Sequence, residues 1–268
     1  MNPVAASQTL MTRWGQRARL WGTTWWQVVM LGAQILVMAL APSSYARGAP
    51  RQRVLLHVHQ ATAPLLTGFL VLSALISLVL IRIVVATAYS YGLSQYALGV
   101  LVRTLVLELI PLYAAMFVAA RYAMPGAQVV REQLSAYQRA GREWGQGVLL
   151  TTELLPRALA SMFSVLMLAA LSCVIALVLT YLTVYGFSHW GLPGYTRNVG
   201  QVFTPAVTLI FTLKTLFFSL AVAVVPLAGS AQQDAQGLYA QRSDISEFAR
   251  LFSVVLLIEI MSLVGNYY

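Results

Sequence analysis

One apolar stretch, residues 102–121, holds an acid, Glu108, and a proline, Pro111, in its interior. An ionised carboxylate at membrane depth costs about 2.5–3.5 kcal/mol on insertion scales. A proline removes a helical hydrogen bond, and its ring clashes with the carbonyl group four residues earlier. A helix that only anchors a protein in a bilayer needs neither residue. We therefore expect this segment to line a cavity within the membrane and to lead directly to a cytoplasmic partner.

The composition places the chain as a whole in a membrane. Charged residues make up 9% of the sequence and hydrophobic residues 59%, whereas soluble domains carry about 25% charged residues. The formal net charge of +9 comes from basic residues that mostly flank the apolar segments. That is the positive-inside pattern and not a nucleic-acid-binding surface, so no nucleic-acid partner is expected. The single cysteine, Cys173, excludes a disulfide within the chain.

Five apolar segments are long enough to cross a bilayer, for which an α-helix needs about 20 residues. The sequence therefore predicts an all-α integral membrane protein. The connection between the second and third spans, about residues 122–151, is polar, and residues 186–200 are predicted to form a loop. The spans are predicted at about residues 55–87, 96–121, 155–186, 201–228 and 250–266.

Residues 11–41 are predicted to form an amphipathic helix that lies in the membrane interface, because arginines and tryptophans cluster at its start. A spanning helix would place one of the two basic clusters that flank this segment on the wrong side of the membrane. The tryptophans also interrupt what would be the core of a signal peptide, so the segment is expected to be retained. Residues 1–53 thus form the N-terminal helix with a basic linker, and residues 54–268 the five-helix domain. The residues concerned are Arg13, Arg17, Arg19, Trp21, Trp25, Trp26, Arg47, Arg51 and Arg53.

The arginines determine the predicted orientation of the spans. With the N-terminus in the cytoplasm, thirteen arginines lie in cytoplasmic segments and span ends, against two, Arg82 and Arg197, toward the other side. The C-terminus then emerges on that other side. The thirteen are Arg13, Arg17, Arg19, Arg47, Arg51, Arg53, Arg121, Arg131, Arg139, Arg142, Arg157, Arg242 and Arg250.

Short motifs follow one another along the spans. They are Leu98-Gly-Val, Leu107-Glu-Leu-Ile-Pro111, Ala119-Ala-Arg121, Leu155-Pro-Arg157, Thr212-Leu-Lys-Thr-Leu-Phe-Phe and Leu227-Ala-Gly229. In this order the chain resembles the MlaE/YrbE family, the permease subunits of MCE-associated ABC transporters, over roughly residues 15–266. The family usually carries an arginine beside the acid, where this chain has Leu107. Arg103 lies about one helical turn earlier and is predicted to supply that charge.

The resemblance implies a lipid permease in the bacterial inner membrane, with phospholipid as the common cargo. It also implies a second permease, identical or related, a cytoplasmic ABC ATPase dimer, a hexameric ring of a periplasmic MCE-domain protein and, in some systems, a STAS-domain protein. ATP and magnesium would belong to the ATPase, because this chain lacks a G-x-x-x-x-G-K-[ST] phosphate loop. We expect the chain itself to be no enzyme and to hold no cofactor or metal.

Ionisable residues inside spans supply the candidate lipid pocket, because such residues usually serve a function. Glu108 is predicted to pair with Lys214 or Arg103 and to form with them the polar rim of a pocket for a lipid headgroup. The alternatives are a purely structural ion pair between helices and, for Lys214, a side chain that extends to the interface. Arg103, Leu107 and Pro111 complete the predicted pocket, with Pro111 expected mainly to kink the helix.

Other charged residues are predicted to act at the two membrane surfaces. Glu259, late in the last span, is expected to reach water or to pair with Arg82. The polar connection is predicted to couple the permease to its ATPase, with a merely solvated helix as the alternative. Its coupling residues are Arg131, Glu132, Gln133, Arg139, Arg142 and Glu143.

Two further functions are compatible with a membrane protein of this kind. The first is a non-transporting anchor that tethers an MCE assembly, although charged residues inside the spans argue against it. The second is a membrane enzyme that acts on lipid. It would show a catalytic cluster near one interface, and the three histidines and eight acids do not group into one.

Overall fold

The computed structural model describes residues 25–39, 48–141, 146–231 and 244–267, together with the isolated residues 22 and 41. All regular structure within these ranges is helical. Five helical segments are long and apolar enough to cross a membrane, and the prediction of an all-α membrane protein is confirmed. These segments are Gln52–Ser90, Tyr96–Arg139, Leu150–Tyr185, Pro205–Ser230 and Ile245–Gly265.

The helices are numbered in chain order. They are α1 (Trp25–Ala39), α2 (Gly48–Ser90), α3 (Ser94–Leu101), α4 (Ile110–Val118), α5 (Met124–Arg139), α6 (Gln146–Leu149), α7 (Leu155–Tyr185), α8 (Leu192–Val202), α9 (Pro205–Ser230) and α10 (Asp244–Tyr267). Three π-helical segments, Val102–Leu109, Ala119–Ala123 and Leu150–Leu154, join α3 to α4, α4 to α5 and α6 to α7. The path from α3 to α5 is therefore one continuous helix.

Each of these π-helical segments is followed by a proline in the first turn of the next helix, namely Pro111, Pro125 and Pro156. Proline has no N–H to donate, and its ring clashes with the carbonyl four residues earlier in an α-helix. A π-helical turn moves hydrogen bonding to the fifth residue, so the wider backbone accommodates the ring. The helix passes each proline without a break.

The bundle is held by close packing of small residues and by polar contacts between helices. α2 packs along α7, α7 packs against α4 and α9, and α9 packs against α10. The Thr62 hydroxyl lies 2.9 Å from the Ser164 hydroxyl between α2 and α7, and the Ser73 hydroxyl lies 2.7 Å from the Tyr113 hydroxyl between α2 and α4. In lipid, apolar side chains gain little by leaving the acyl chains for another helix. Hydrogen bonds of this kind therefore help to fix the register of neighbouring helices.

Residues 186–200 are not the loop that the sequence predicted, because α8 forms there. Gly186, at φ +68°, ends α7, and α8 packs against α3. Tyr195 of α8 is buried and donates a hydrogen bond to the Leu177 carbonyl at 2.8 Å. Burial, together with Tyr185, raises the pKa of Tyr195 to about 12, so this hydroxyl remains a donor at neutral pH.

Several span boundaries also differ from those predicted. The second helical path continues beyond residue 121 to Arg139, so much of the expected polar connection is the helix α5. The fourth span begins at Pro205, after the Thr204 hydroxyl has accepted a hydrogen bond from the Val207 N–H at 3.3 Å. The last helix begins at Asp244 and not at residue 250.

The described part of the N-terminal segment, α1, is a 15-residue helix. At about 1.5 Å per residue, these 15 residues are about 22 Å long. Gly32 faces α9, where a Cβ at that position would lie 3.3 Å from the Val224 side chain. The preceding arginines and Trp21 lie outside the described residues, so the interfacial placement and the boundary at residue 53 stay predictions.

Candidate functional site

A buried ion-pair cluster, formed by Glu108, Lys214 and Glu259, joins three of the spanning segments. Lys214 of α9 forms ion pairs with Glu108 of the first π-helical segment and with Glu259 of α10, the latter at 2.8 Å. Lys214 is 3% exposed and Glu108 8%, while Glu259 is partly buried, with 13% of its side chain exposed. Charges at this depth persist when they are paired, and here one ammonium group lies between two carboxyl groups.

The backbone around Pro111 contributes a further ligand to Lys214. Because Pro111 has no N–H, it cannot donate to the Leu107 carbonyl in an α-helical register or to the Val106 carbonyl in a π-helical one. The Lys214 ammonium donates to the Leu107 carbonyl at 3.2 Å, and the Cys173 thiol donates to the Val106 carbonyl at 3.8 Å. Side chains from α9 and α7 thus donate to the two carbonyl groups to which Pro111 cannot donate.

Phe218, one turn after Lys214, closes the cluster on another side. The ammonium nitrogen lies 5.7 Å from the centre of the Phe218 ring, within the range of a cation–π contact. With every group ionised, the cluster carries one more carboxylate than it has ammonium groups. A charged or hydrogen-bonding group of a ligand can therefore replace one of the contacts within the cluster.

The structure brings four of the five predicted pocket residues together. Glu108 and Lys214 form the ion pair, the Leu107 carbonyl accepts from Lys214, and Pro111 begins the helix that follows. Arg103 has a different environment. It is exposed and lines a cleft between α3 and α8, whereas Glu108 is buried against Lys214.

The prediction for Glu259 was wrong. Glu259 pairs with Lys214 inside the bundle, while Arg82 is exposed on α2. Glu259 lies eight residues, about 12 Å, before the end of α10 and contacts the other two charges. The sequence signal was present, since an acid in an apolar helix needs a partner and Lys214 was the available cation.

A second group of charges, the arginine cluster (Arg131, Glu247 and Arg250), lies at the other end of the same helices. Arg131 of α5 forms an ion pair with Glu247 of α10, and Arg250 donates to the Val225 carbonyl of α9 at 3.2 Å. Glu247 is 3% exposed. Arg131, predicted as a coupling residue, thus packs inside the bundle and ties α5 to α10.

Gly229 allows the carboxylate of Glu247 to approach the backbone of α9. A Cβ at this position would lie 2.8 Å from a carboxylate oxygen of Glu247 and 3.2 Å from a guanidinium nitrogen of Arg250. The glycine of the Leu227-Ala-Gly229 motif therefore has a steric role that the sequence did not reveal.

The remaining predicted coupling residues divide into two groups. Glu132, Gln133 and Arg139 are exposed on α5, and Arg139 donates to the Ser135 carbonyl within its own helix at 3.2 Å. Arg142 and Glu143 lie outside the described residues. The exposed set faces away from the bundle and is available for contact with another protein.

A family model described as Permease MlaE matches residues 54–263, a range that contains both charge clusters. The chain belongs to the MlaE permease family. It is accordingly a multi-pass membrane protein and the permease subunit of an ABC-type transporter. Among individually curated proteins, none matches the sequence significantly.

Proposed function

We propose that this MlaE-family permease moves lipid, with phospholipid as its main cargo, between the bacterial inner membrane and a periplasmic MCE-domain ring. The observation that carries the proposal is the Glu108–Lys214–Glu259 cluster, buried where three spans meet. A membrane anchor has no use for charges at this depth, because each one costs free energy in the bilayer.

The headgroup of the lipid is the natural partner of this cluster. A phosphate attracts the Lys214 ammonium, and an amino group of the headgroup attracts the excess carboxylate. The acyl chains contact the apolar faces of α9 and α10, which expose Leu213, Leu216 and Leu257. Binding of a headgroup then replaces ion pairs within the bundle, so the packing of α9 against α10 depends on whether lipid is present.

The two charge clusters at opposite ends of the same helices support a proposed route for coupling to an ATPase. Glu247 and Glu259 are twelve residues apart on α10, which is about 18 Å along a helix. An ATPase dimer bound to the exposed face of α5 displaces that helix, and the Arg131–Glu247 ion pair passes the displacement to α10. Glu259 moves with α10, and the cluster around Lys214 opens or closes.

The proposed setting is the one that the arginine distribution predicts. The N-terminus lies in the cytoplasm, the arginine cluster is at the cytoplasmic surface and the C-terminus emerges in the periplasm. A second permease, identical or related, forms the other half of the cavity. ATP and magnesium bind to the ATPase, and a STAS-domain protein joins it in some systems.

A transport assay in vesicles that contain the permease with its ATPase and MCE partners tests this function. The triple variant Glu108→Gln/Lys214→Met/Glu259→Gln keeps side chains of similar size and removes every charge from the cluster. We expect it to assemble with its partners but to lose ATP-dependent lipid transfer. Arg82→Gln, at an exposed site on α2, is the matched control and keeps transport. Transfer at the wild-type rate in the triple variant would overturn the proposal and favour a non-transporting anchor.

A further inference from the structure

A polar cleft lies between α3 and α8, apart from the buried ion-pair cluster. Its volume is about 440 Å³, within the roughly 300–1,000 Å³ of small-molecule sites. Arg103 contributes a guanidinium from one side, while Asn198 and Gln201, three residues apart on α8, contribute side-chain amides from the other. All three side chains are exposed to solvent in the cleft.

These groups have the chemistry that binds a phosphate diester. A guanidinium donates two parallel hydrogen bonds to phosphate oxygens, and the amide N–H groups add further donors. No acidic side chain is among the residues that line the cleft. An anion is therefore favoured over a cation.

An apolar groove adjoins the cleft. It has a volume of about 250 Å³ and runs along the end of α2, where Ile83, Val84 and Ala88 line it. Tyr96 and Val100, one turn apart on α3, line both the cleft and the groove. A polar site that continues into an apolar one fits a ligand with a charged head and a hydrocarbon chain.

The surrounding side chains place this pair of sites at the level of lipid headgroups. Exposed aromatic residues surround this end of the bundle, with Tyr91 at 76%, Phe187 at 89% and Trp190 at 94% exposure. Aromatic residues concentrate where the hydrocarbon of a bilayer meets water. The cleft lies at this boundary and the groove extends from it along a spanning helix.

We propose that the cleft and the groove together bind one anionic phospholipid. Arg103 holds the phosphate, Asn198 and Gln201 hold the rest of the headgroup, and an acyl chain occupies the groove along α2. The site is on the surface, about one helical turn from Glu108 along the chain. Its occupation by lipid does not depend on transport through the buried ion-pair cluster.

Native mass spectrometry of the full-length protein in mild detergent measures this binding directly. The probes are phosphatidylglycerol, diacylglycerol with the same chains, and glycerol 3-phosphate. Arg103→Gln should weaken phosphatidylglycerol binding about tenfold, because a charge-assisted contact is lost, and should leave diacylglycerol binding unchanged. Thr87→Trp, at an exposed position that lines the groove, should weaken phosphatidylglycerol binding without affecting glycerol 3-phosphate.

Arg197→Gln is the matched control, since it removes the same charge from an exposed position on α8 that does not line the cleft. Unchanged binding in this variant supports the site, whereas a loss equal to that of Arg103→Gln would show diffuse surface attraction and overturn it. Glycerol 3-phosphate that binds as tightly as phosphatidylglycerol would indicate a free-anion site and also overturn it. The triple variant Glu108→Gln/Lys214→Met/Glu259→Gln separates the two proposals, because it should abolish transport and leave phosphatidylglycerol at this cleft.

Discussion

The ammonium group of Lys214 donates a hydrogen bond to the main-chain carbonyl of Leu107, four residues before Pro111. In a regular helix the residue at position 111 would donate to that carbonyl, and proline cannot. The acid, the proline and the lysine therefore belong to one arrangement. The proline exposes an acceptor, and the lysine binds that acceptor together with the neighbouring carboxylate of Glu108.

Lys214→Met is expected to destabilise the protein strongly, because it leaves the buried Glu108 and the partly buried Glu259 beside each other without a counter-charge. Breaking a buried ion pair in this way costs about 3–5 kcal/mol. Thermal unfolding in detergent, followed by tryptophan fluorescence, measures the loss. The triple variant Glu108→Gln/Lys214→Met/Glu259→Gln should recover most of it, since no unpaired charge remains. Equal stability of the single and triple variants would mean that the three groups do not act as one cluster.

Pro111→Ala is expected to change transport more than stability. The new N–H can donate to the Leu107 carbonyl, so it competes with Lys214 for that acceptor. Lys214 then relies on its two carboxylate partners, and the geometry of the cluster changes. We expect the unfolding temperature to stay within a few degrees of the wild-type value while lipid transfer falls several-fold. Pro205→Ala, at the first turn of α9 where proline replaces no helical donor, is the control.

The sequence predicted a charged partner for Glu108, either Lys214 or Arg103, and the structure shows Lys214. An ionisable side chain inside a span needs a partner, and Glu108 and Lys214 were an evident acid and base. The five spans followed from apolar length alone. Arg103 was assigned to the same pocket from its spacing to Leu107. Spacing along one helix does not show which neighbouring helix lies beside it, and α8 provides a separate cleft there.

The remaining errors come from helices whose extent depends on tertiary packing. α8 contains a proline and two glycines, and its 11 residues are too few to form a stable helix alone. The buried Tyr195 docks it on α7. The start of α10 was missed because Asp244–Ala249 are polar for a span, yet these residues bring Glu247 to Arg131. For this reason Arg131 was predicted at a docking surface and lies inside the bundle.

Gly229→Ala is expected to break the arginine cluster. The added methyl group would lie 2.8 Å from the carboxylate of Glu247, so either α10 must move away or the Arg131–Glu247 ion pair must open. Overpacking of this kind costs about 1–3 kcal/mol. Stimulation of the partner ATPase by lipid should fall in the assembled transporter. Gly68→Ala on α2, where a Cβ meets nothing within 4 Å, should leave that stimulation unchanged.

Arg131→Glu and Arg139→Glu should have different effects, although both reverse a charge on α5. Arg131→Glu places a carboxylate beside the buried Glu247 and should lower the unfolding temperature. The swap Arg131→Glu/Glu247→Arg rebuilds the ion pair, so it should restore most of the lost unfolding temperature. Arg139 is exposed, so its reversal should leave the unfolding temperature unchanged and reduce co-purification of the ATPase. Thermal unfolding and quantitative pull-down on the same three variants give both readouts.

Two results would contradict this account. Normal recovery of the ATPase with Arg139→Glu would contradict contact through the exposed face of α5. Failure of the swap to restore stability would contradict the ion pair as the link between α5 and α10.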